Sequence, residues 1–441
     1  MSGTLIGLSG FAGLLLMLLL RVHIAVAMLL AGAAIYLAAN GGLFDGLLYT
    51  LNGLVYARLS NYDLAVVPLF ILMGQFATHG GLSRALFQAA GKLIGHWRGG
   101  LAMASVAACA SFGAICGSSL ATAATMGQVA LPELKANGYS GRLATGTLAA
   151  AGTLGILIPP SVPLIIYAVL TQDSIGKLFM AAVIPGIIAA MGYLLVIRIL
   201  VTRNPESGPT AAKATWDQAM LALVKVLPIL GVFLVVVVGI YGGWANPTEA
   251  GSVGAGACGL IALAGGMGWG GVRESLLGTA RITGMIFMVL IGADLLNSSL
   301  ALSQMPTELA NWVVGSGLPP LMVLFAILAI YILLGCVMDS LAMILLTIPI
   351  FHPMIMSLDF FGMSAGDKSI WFGIMTLMVV EIGLVHPPVG MNLYIINKLA
   401  KGVPMKETAL GVMPFLASDF TRIIVLALFP GITLWLIHVL G

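Results

Sequence analysis

An all-α integral membrane protein is the fold class that this sequence predicts, and three observations predict it. Sixty per cent of the 441 residues are hydrophobic and only 8% are charged, with a mean hydropathy of +1.09, far from the balance of a soluble domain. Apolar runs of spanning length recur, at Thr4 to Leu20, Val22 to Ala39, Ala219 to Gly242, Leu321 to Gly335 and Ile423 to Leu440, and each bilayer crossing takes roughly 20 such residues. The runs are continuous rather than alternating, which favours helices over a closed barrel, the two structures that satisfy every backbone polar group in lipid. About ten to twelve crossings are expected on that basis, with several runs too short or too broken to be ordinary spans.

The elements follow in chain order. MSGTLIGLSGFAGLLLMLLLRVH has no basic residue ahead of its apolar core and no evident small-x-small cleavage site, and reads as an uncleaved first span. Between Ser83 and Arg98, Leu86, Phe87, Ala90, Leu93, Ile94 and Trp97 fall at helical spacing opposite Arg84, Lys92 and Arg98, the pattern of an interfacial amphipathic helix that would anchor a static scaffold. In GSSLATAAT (Gly117 to Thr125), Ser118, Ser119, Thr122 and Thr125 make a segment too polar and too short to cross alone. With the run to Pro132 it reads as a re-entrant hairpin over about 100–132. Hydroxyls bonded to their own helix backbone are the plain alternative there. GILIPPSVPLIIY (Gly155 to Tyr167) sets two prolines inside an apolar run, a broken helix over about 142–170.

The main punctuation comes mid-chain. From Arg198 to Lys225, the basic residues Arg198, Arg203, Lys213 and Lys225 surround a Pro/Gly/Ser-rich stretch, which reads as a cytoplasmic loop by the positive-inside rule. It divides the chain into residues 1–200, a linker over 201–217, and residues 218–441. In the second half, NPTEAG (Asn246 to Gly251) reads as a helix start, with Thr248 able to cap and Glu249 in the first turn. A second hairpin is expected over about 321–356 and a second broken helix over about 369–398. Asp294 and Glu381 lie at apparent membrane depth, where an acid is either functional or paired with a buried amide or basic group.

The two halves echo one another. Pro159-Pro160 recurs at Pro387-Pro388 in GLVHPPVGMNLY. SFGAICGSSLATAATMGQVALP (Ser111 to Pro132) resembles LLGCVMDSLAMILLTIPIFHP (Leu333 to Pro353), so that Gly113 matches Gly335 and Ser118 matches Ser340. PLFILMG (Pro68 to Gly74) resembles IFMVLIG (Ile286 to Gly292). Broken helices at matching positions of two halves point to a secondary transporter and to its binding site. A break at membrane depth frees carbonyls that suit a cation and N–H groups that suit an anion, whereas simple kinks with small-residue packing are the alternative.

Other function classes find little support. Cys109, Cys116, Cys258 and Cys336 sit in apolar runs without metal-ligand spacing and read as packing residues. The formal net charge of +3 is small and dispersed, so nucleic acid is not an expected partner. No GxxxxGK[ST] is present, and no GxSxG, HExxH or paired-aspartate constellation stands out, so neither an ATP-driven pump nor an enzyme is expected. An ion channel or exchanger without organic substrate and an intramembrane enzyme remain the rival classes.

In order and spacing, the blocks PLFILMG, AICGSSLATAATMG, GILIPPSVPLIIY, NPTEAG, GCVMDSLAMILLTIPIFHP and HPPVGMNLY resemble the large membrane subunit of tripartite ATP-independent periplasmic (TRAP) transporters over almost the whole chain. The resemblance implies an elevator-type secondary transporter built of two inverted-topology repeats, each with a re-entrant hairpin and a discontinuous helix. It further implies a multi-pass protein of the bacterial inner membrane, in contact with membrane lipid, that works with a small four-helix membrane subunit and a periplasmic substrate-binding protein. The cargo would be a small organic anion, a carboxylate, coupled to Na+. Carried over by position, one sodium site would use Gly117, Ser118 and Ser119 with Gly152, Thr153 and Pro159; the other would use Gly335, Asp339 and Ser340 with His386, Pro387 and Gly390. Ser119, Thr122, Asp339 and Asn392 would contact substrate. The chain departs from the family at His386, where threonine is usual before Pro-Pro-Val-Gly, which removes a hydroxyl from that position.

Overall fold

Caps and breakers cut this apolar chain into many short helices. The computed structural model describes residues 2–336 and 338–440; Met1 and Gly441, the ends of the two expected halves, and Val337 in the second expected hairpin lie outside them. The described residues form twenty α-helices, two short 3-10 turns and no strand. The first ten are α1 (Gly3–Leu19), α2 (Ile24–Ala39), α3 (Phe44–Leu59), α4 (Val66–His79), α5 (Leu82–Ile94), α6 (Gly100–Cys116), α7 (Ser119–Ala136), α8 (Gly141–Leu157), α9 (Val162–Thr171) and α10 (Ile175–Arg203). After a linker come α11 (Trp216–Tyr241), α12 (Pro247–Ala264), α13 (Trp269–Leu302), α14 (Met305–Gly315), α15 (Pro320–Gly335), α16 (Ser340–Met356), α17 (Ala365–Val385), α18 (Met391–Leu399), α19 (Met405–Leu428) and α20 (Pro430–Leu440).

Helix starts follow capping chemistry. Ser118, Ser140, Ser174, Thr215, Asp339 and Ser364 each accept the N–H three residues on, satisfying a donor that the helix itself leaves free. At α12 the cap is Asn246 rather than Thr248: its side chain accepts from Glu249 N while the Glu249 carboxylate accepts from Asn246 N, both at 2.8 Å, a closed capping box. Glu249 is thereby accounted for as a helix-start residue.

Five helices, α10, α11, α13, α17 and α19, are long and apolar enough to cross a membrane, and α3 with α4 and α8 with α9 form two further bent pairs, at 57° and 41°. That makes five to seven spans by length and composition, fewer than the ten to twelve that the apolar runs suggest. The difference lies in helices such as α1, α2 and α15, which run for only 16 or 17 residues, about 25 Å at 1.5 Å per residue against a core of about 30 Å. Of the apolar side of residues 83–98, Leu86 and Phe87 are buried, with α5 packing on α6 and α11, while Leu93 and Trp97 are exposed and Trp97 falls beyond the helix end.

Packing sorts the helices into two groups. α2 and α4 lie against α13, α4 against α12, α1 against α2 and α14, and α11 against α12 and α5. The other group holds α6 to α10 and α15 to α20: α6, α7 and α19 pack on α8, α15 and α16 on α17, and α10 on α19 and α20. Two reciprocal contacts tie the second group together, α7 on α18 and α9 on α16. The groups meet where α4 touches α6 and α9, where α5 packs on α6 and α7, and where α13 and α14 touch α16.

Candidate functional site

The site begins at two helix-to-helix turns. α6 ends at Gly117, whose φ of 63° a glycine adopts without strain, and α7 starts at once with Ser118 as its cap. Gly117 turns against the first break: its carbonyl accepts from Val162 N at 3.4 Å, and a Cβ on it would meet Pro160 O at 3.1 Å. Pro159, Pro160 and Ser161 are buried, and Ser161 Oγ returns a hydrogen bond to Ile156 O at 2.5 Å across the break. Both the Pro159-Pro160 and Pro387-Pro388 peptide bonds are cis.

At the second turn, α15 ends at Gly335 and α16 begins beyond Asp339, whose Oδ1 accepts from Ala342 N at 2.8 Å. The second break runs from His386 to Gly390. Gly390 N donates to His386 O at 3.1 Å, and Cys336 Sγ lies 4.0 Å from that carbonyl. Unlike the first break it is open, with Pro388 and Val389 exposed.

These turns converge on one cavity of about 90 Å³ at the junction of the two helix groups. Gly117, Ser118 and Ala121 of the first turn, Ser340 and Leu341 of the second, and Val162 and Pro163 at the start of α9 line it, facing Gln75 and Thr78 of α4 and Ile282 and Ile286 of α13. Three helix N-termini, those of α7, α9 and α16, therefore open onto one small space whose walls are otherwise largely apolar. Free N–H groups and the positive ends of helix dipoles suit an anionic group.

The residues expected at the site do not all face it. Ser118 and Ser340 line the cavity. Ser119 and Thr122 are fully buried just behind the rim, and neither hydroxyl has a hydrogen-bond partner. Gly155 packs on this turn, since a Cβ there would meet Thr122 Oγ1 at 2.6 Å and Ser118 O at 2.9 Å, and Gly152 packs on Ala123. Thr153 points elsewhere: its hydroxyl donates to Ala150 O at 2.7 Å on the side of α8 that meets Tyr193 of α10. Asn392 is wholly buried in the first turn of α18, and neither its Oδ1 nor its Nδ2 has a partner. A turn further on, α18 packs on α7 with Ile396 and Leu399 against Gly127. His386 Nδ1 is likewise buried and unpartnered.

Each of the two membrane-depth acids meets an arginine. Arg58 of α3 holds the Asp294 carboxylate with both Nε and Nη2. Glu381 of α17 meets Arg422 of α19, which also contacts Asp419, and Tyr193 donates to Asp419 at 2.8 Å. Arg422 and Asp419 carried no expectation from sequence, although two charges three residues apart inside an apolar run are themselves a signal.

Comparisons with known proteins agree over nearly the whole chain. A family model described as the tripartite ATP-independent periplasmic transporter, DctM component, matches residues 11–432. The C4-dicarboxylate TRAP transporter large permease protein DctM of Pseudomonas aeruginosa is 34% identical over 392 residues, covering 88% of this chain and 89% of that one. The sialic acid TRAP transporter large permease protein SiaM of Vibrio cholerae is 30% identical over 389 residues, covering 86% and 87%. Among solved structures, the YdaH transporter of Alcanivorax borkumensis, described as having an unusual topology, shares the fold with a TM-score of 0.62 over 88% of this chain and 89% of that one, at 16% identity.

Proposed function

The chain belongs to the DctM component family of tripartite ATP-independent periplasmic transporters, and from that premise we propose that it is the large permease subunit of a sodium-coupled importer of a small carboxylate in the inner membrane. Its partners are a small membrane subunit and a periplasmic binding protein that delivers the substrate. The observation that carries this reading is the meeting of three helix N-termini at one cavity with orphaned polar side chains behind its rim. N–H groups offer the carboxylate its donors, and the apolar walls of Ile71, Ile156, Ile282 and Ile286 accept its carbon body.

Sodium would sit at the two breaks, where carbonyls and hydroxyls suit a hard cation: Gly117, Ser118, Ser119, Gly152 and Pro159 on one side, and Gly335, Asp339, Ser340, His386, Pro387 and Gly390 on the other. Thr153 fits that role least, because its hydroxyl is engaged away from the turn. We read the halves as inverted repeats. In support, α6 with α8 and α15 with α17 each pack through a glycine pair, and the contacts of α7 on α18 and of α9 on α16 are reciprocal. An elevator motion of the α6–α10 and α15–α20 group against the other follows as the proposed mechanism, with the cavity at their junction. The linker bonds to the loops at Gly95, Gly99 and Ser140, and Arg98 and Lys213 there, with Lys135, Arg142 and Arg203 at the adjoining ends of α7, α8 and α10, would make that face cytoplasmic.

Proteoliposomes holding both membrane subunits, with binding protein and labelled organic acids outside, test the reading. Uptake driven by an inward sodium gradient, absent without binding protein, is expected. Uptake unchanged when choline replaces sodium at constant pH would overturn the coupling.

A further inference from the structure

Away from the cavity, α10, α17 and α19 enclose a charged cluster that is almost wholly buried: Glu381 is 0%, Asp419 1%, Arg422 4% and Tyr193 0% exposed. A single nitrogen, Arg422 Nη2, serves both acids, at 2.9 Å from Glu381 Oε2 and 3.0 Å from Asp419 Oδ1. Two carboxylates against one guanidinium leave one surplus negative charge at membrane depth, and two acids so close to a shared partner resist ionising together. The two acids are not equally served. Asp419 accepts from the Tyr193 hydroxyl at 2.8 Å in addition to facing Arg422. Each acid keeps one buried oxygen outside any hydrogen bond, Oε1 of Glu381 and Oδ1 of Asp419, but Asp419 Oδ1 still lies 3.0 Å from the guanidinium while its other oxygen takes the tyrosine hydroxyl, so Glu381 is the acid with a single polar contact.

We propose that Glu381 is a proton-binding site of this transporter, holding at neutral pH the one proton that makes the Glu381–Arg422–Asp419 cluster electroneutral. A proton fits where a sodium ion does not, because the guanidinium, within 3.0 Å of both carboxylates, repels a second fixed cation, and sodium needs a shell of oxygens that this packing does not supply. Among the described residues, the other helices on α17 bring no further titratable group to Glu381: Tyr167 of α9 and His352 of α16 engage Ser369 a few turns away, His438 of α20 faces Asp367, Tyr331 of α15 bonds Thr347, and Arg142 of α8 and Tyr394 and Lys398 of α18 are exposed. Loss of the proton leaves a bare charge between α17 and α19, five residues before the break at His386. Transport therefore declines on the alkaline side as Glu381 ionises.

Infrared spectroscopy of the purified complex reads the proton directly, whatever the cargo. The wild type is expected to show a protonated-carboxyl C=O stretching band near neutral pH that Glu381→Gln abolishes and that alkaline titration removes. Asp419→Asn is expected to remove it too, since a lone Glu381 then pairs with Arg422 as an ion. Glu381→Gln mimics the protonated acid, and so should transport at neutral pH and lose the alkaline decline. No such band in the wild type, or a band that survives Glu381→Gln, would overturn the assignment. A wild-type uptake rate flat across the pH range in which the band disappears would overturn its link to transport.

Discussion

Gly335 of α15 lies so close to Gly383 of α17 that a β-carbon on Gly335 would sit 2.8 Å from the Gly383 Cα. Gly113 of α6 stands in the same relation to Gly155 of α8. Lipid offers no hydrophobic drive to bring helices together, so this depth of contact comes from backbones that nothing keeps apart. Alanine at Gly335 or Gly383 should therefore push the two helices apart and move the turn before Asp339. A loss of about 1–3 kcal/mol is expected from overpacking, seen as a lower melting temperature of the detergent-solubilised protein. An unchanged melting temperature for both variants would show that the helices can separate without cost.

Asp339 carries the main asymmetry between the two turns, since the first has Ser118 as its cap and the second a carboxylate. The structure gives Asp339 a capping role, accepting from Ala342 N, and asparagine preserves that bond. If the carboxylate also ligates sodium, Asp339→Asn should insert and fold normally yet lose roughly tenfold or more of its uptake at limiting sodium, the scale of one charge-assisted contact. Asp339→Ala should add a loss of about 1 kcal/mol of stability from the missing cap. Asparagine with wild-type rate and sodium dependence would reduce the residue to a cap.

The buried pair Arg58–Asp294 predicts an order of damage. Asp294 is almost fully enclosed, whereas the Arg58 side chain is 19% exposed and can reach solvent or headgroups. Arg58→Met strands a buried anion and should cost about 3–5 kcal/mol. Asp294→Asn should cost less, and the double variant should recover much of the loss. Thermal melts of the three variants check the order; a single Arg58→Met variant as stable as the wild type would contradict it.

Local chemistry made much of this readable in sequence, and distance hid the rest. The turns at Gly117 and Asp339 and the two Pro-Pro breaks announce themselves through residues that allow only a few backbone shapes. Pairings between helices do not: nothing near Asp294 points to Arg58, and Glu381 drew attention without its partner Arg422, because both pairings exist only once distant spans pack. The apolar runs count more crossings than helix length does, because runs such as Thr4 to Leu20 and Leu321 to Gly335 become helices of only 17 and 16 residues. Thr153 shows a further limit, since matching positions in a motif fixed its register but not the side of α8 on which its hydroxyl bonds.

Asn392 allows stability and function to be pulled apart. Its amide is wholly buried in the first turn of α18, and neither its oxygen nor its nitrogen meets a protein partner. Such a group costs stability, on the order of 1–3 kcal/mol for a buried unsatisfied polar atom, unless something else completes it. Replacing it with leucine, of similar size and with nothing to satisfy, should then leave the unliganded protein as stable as before or raise its melting temperature. If the amide is kept for substrate, the same substitution should abolish sodium-driven uptake and also remove the thermal stabilisation that substrate gives the wild type. The two readouts must move in opposite directions. A leucine variant that melts several degrees lower would mean that Asn392 is satisfied within the fold, and one that still takes up substrate at the wild-type rate would remove it from the binding site.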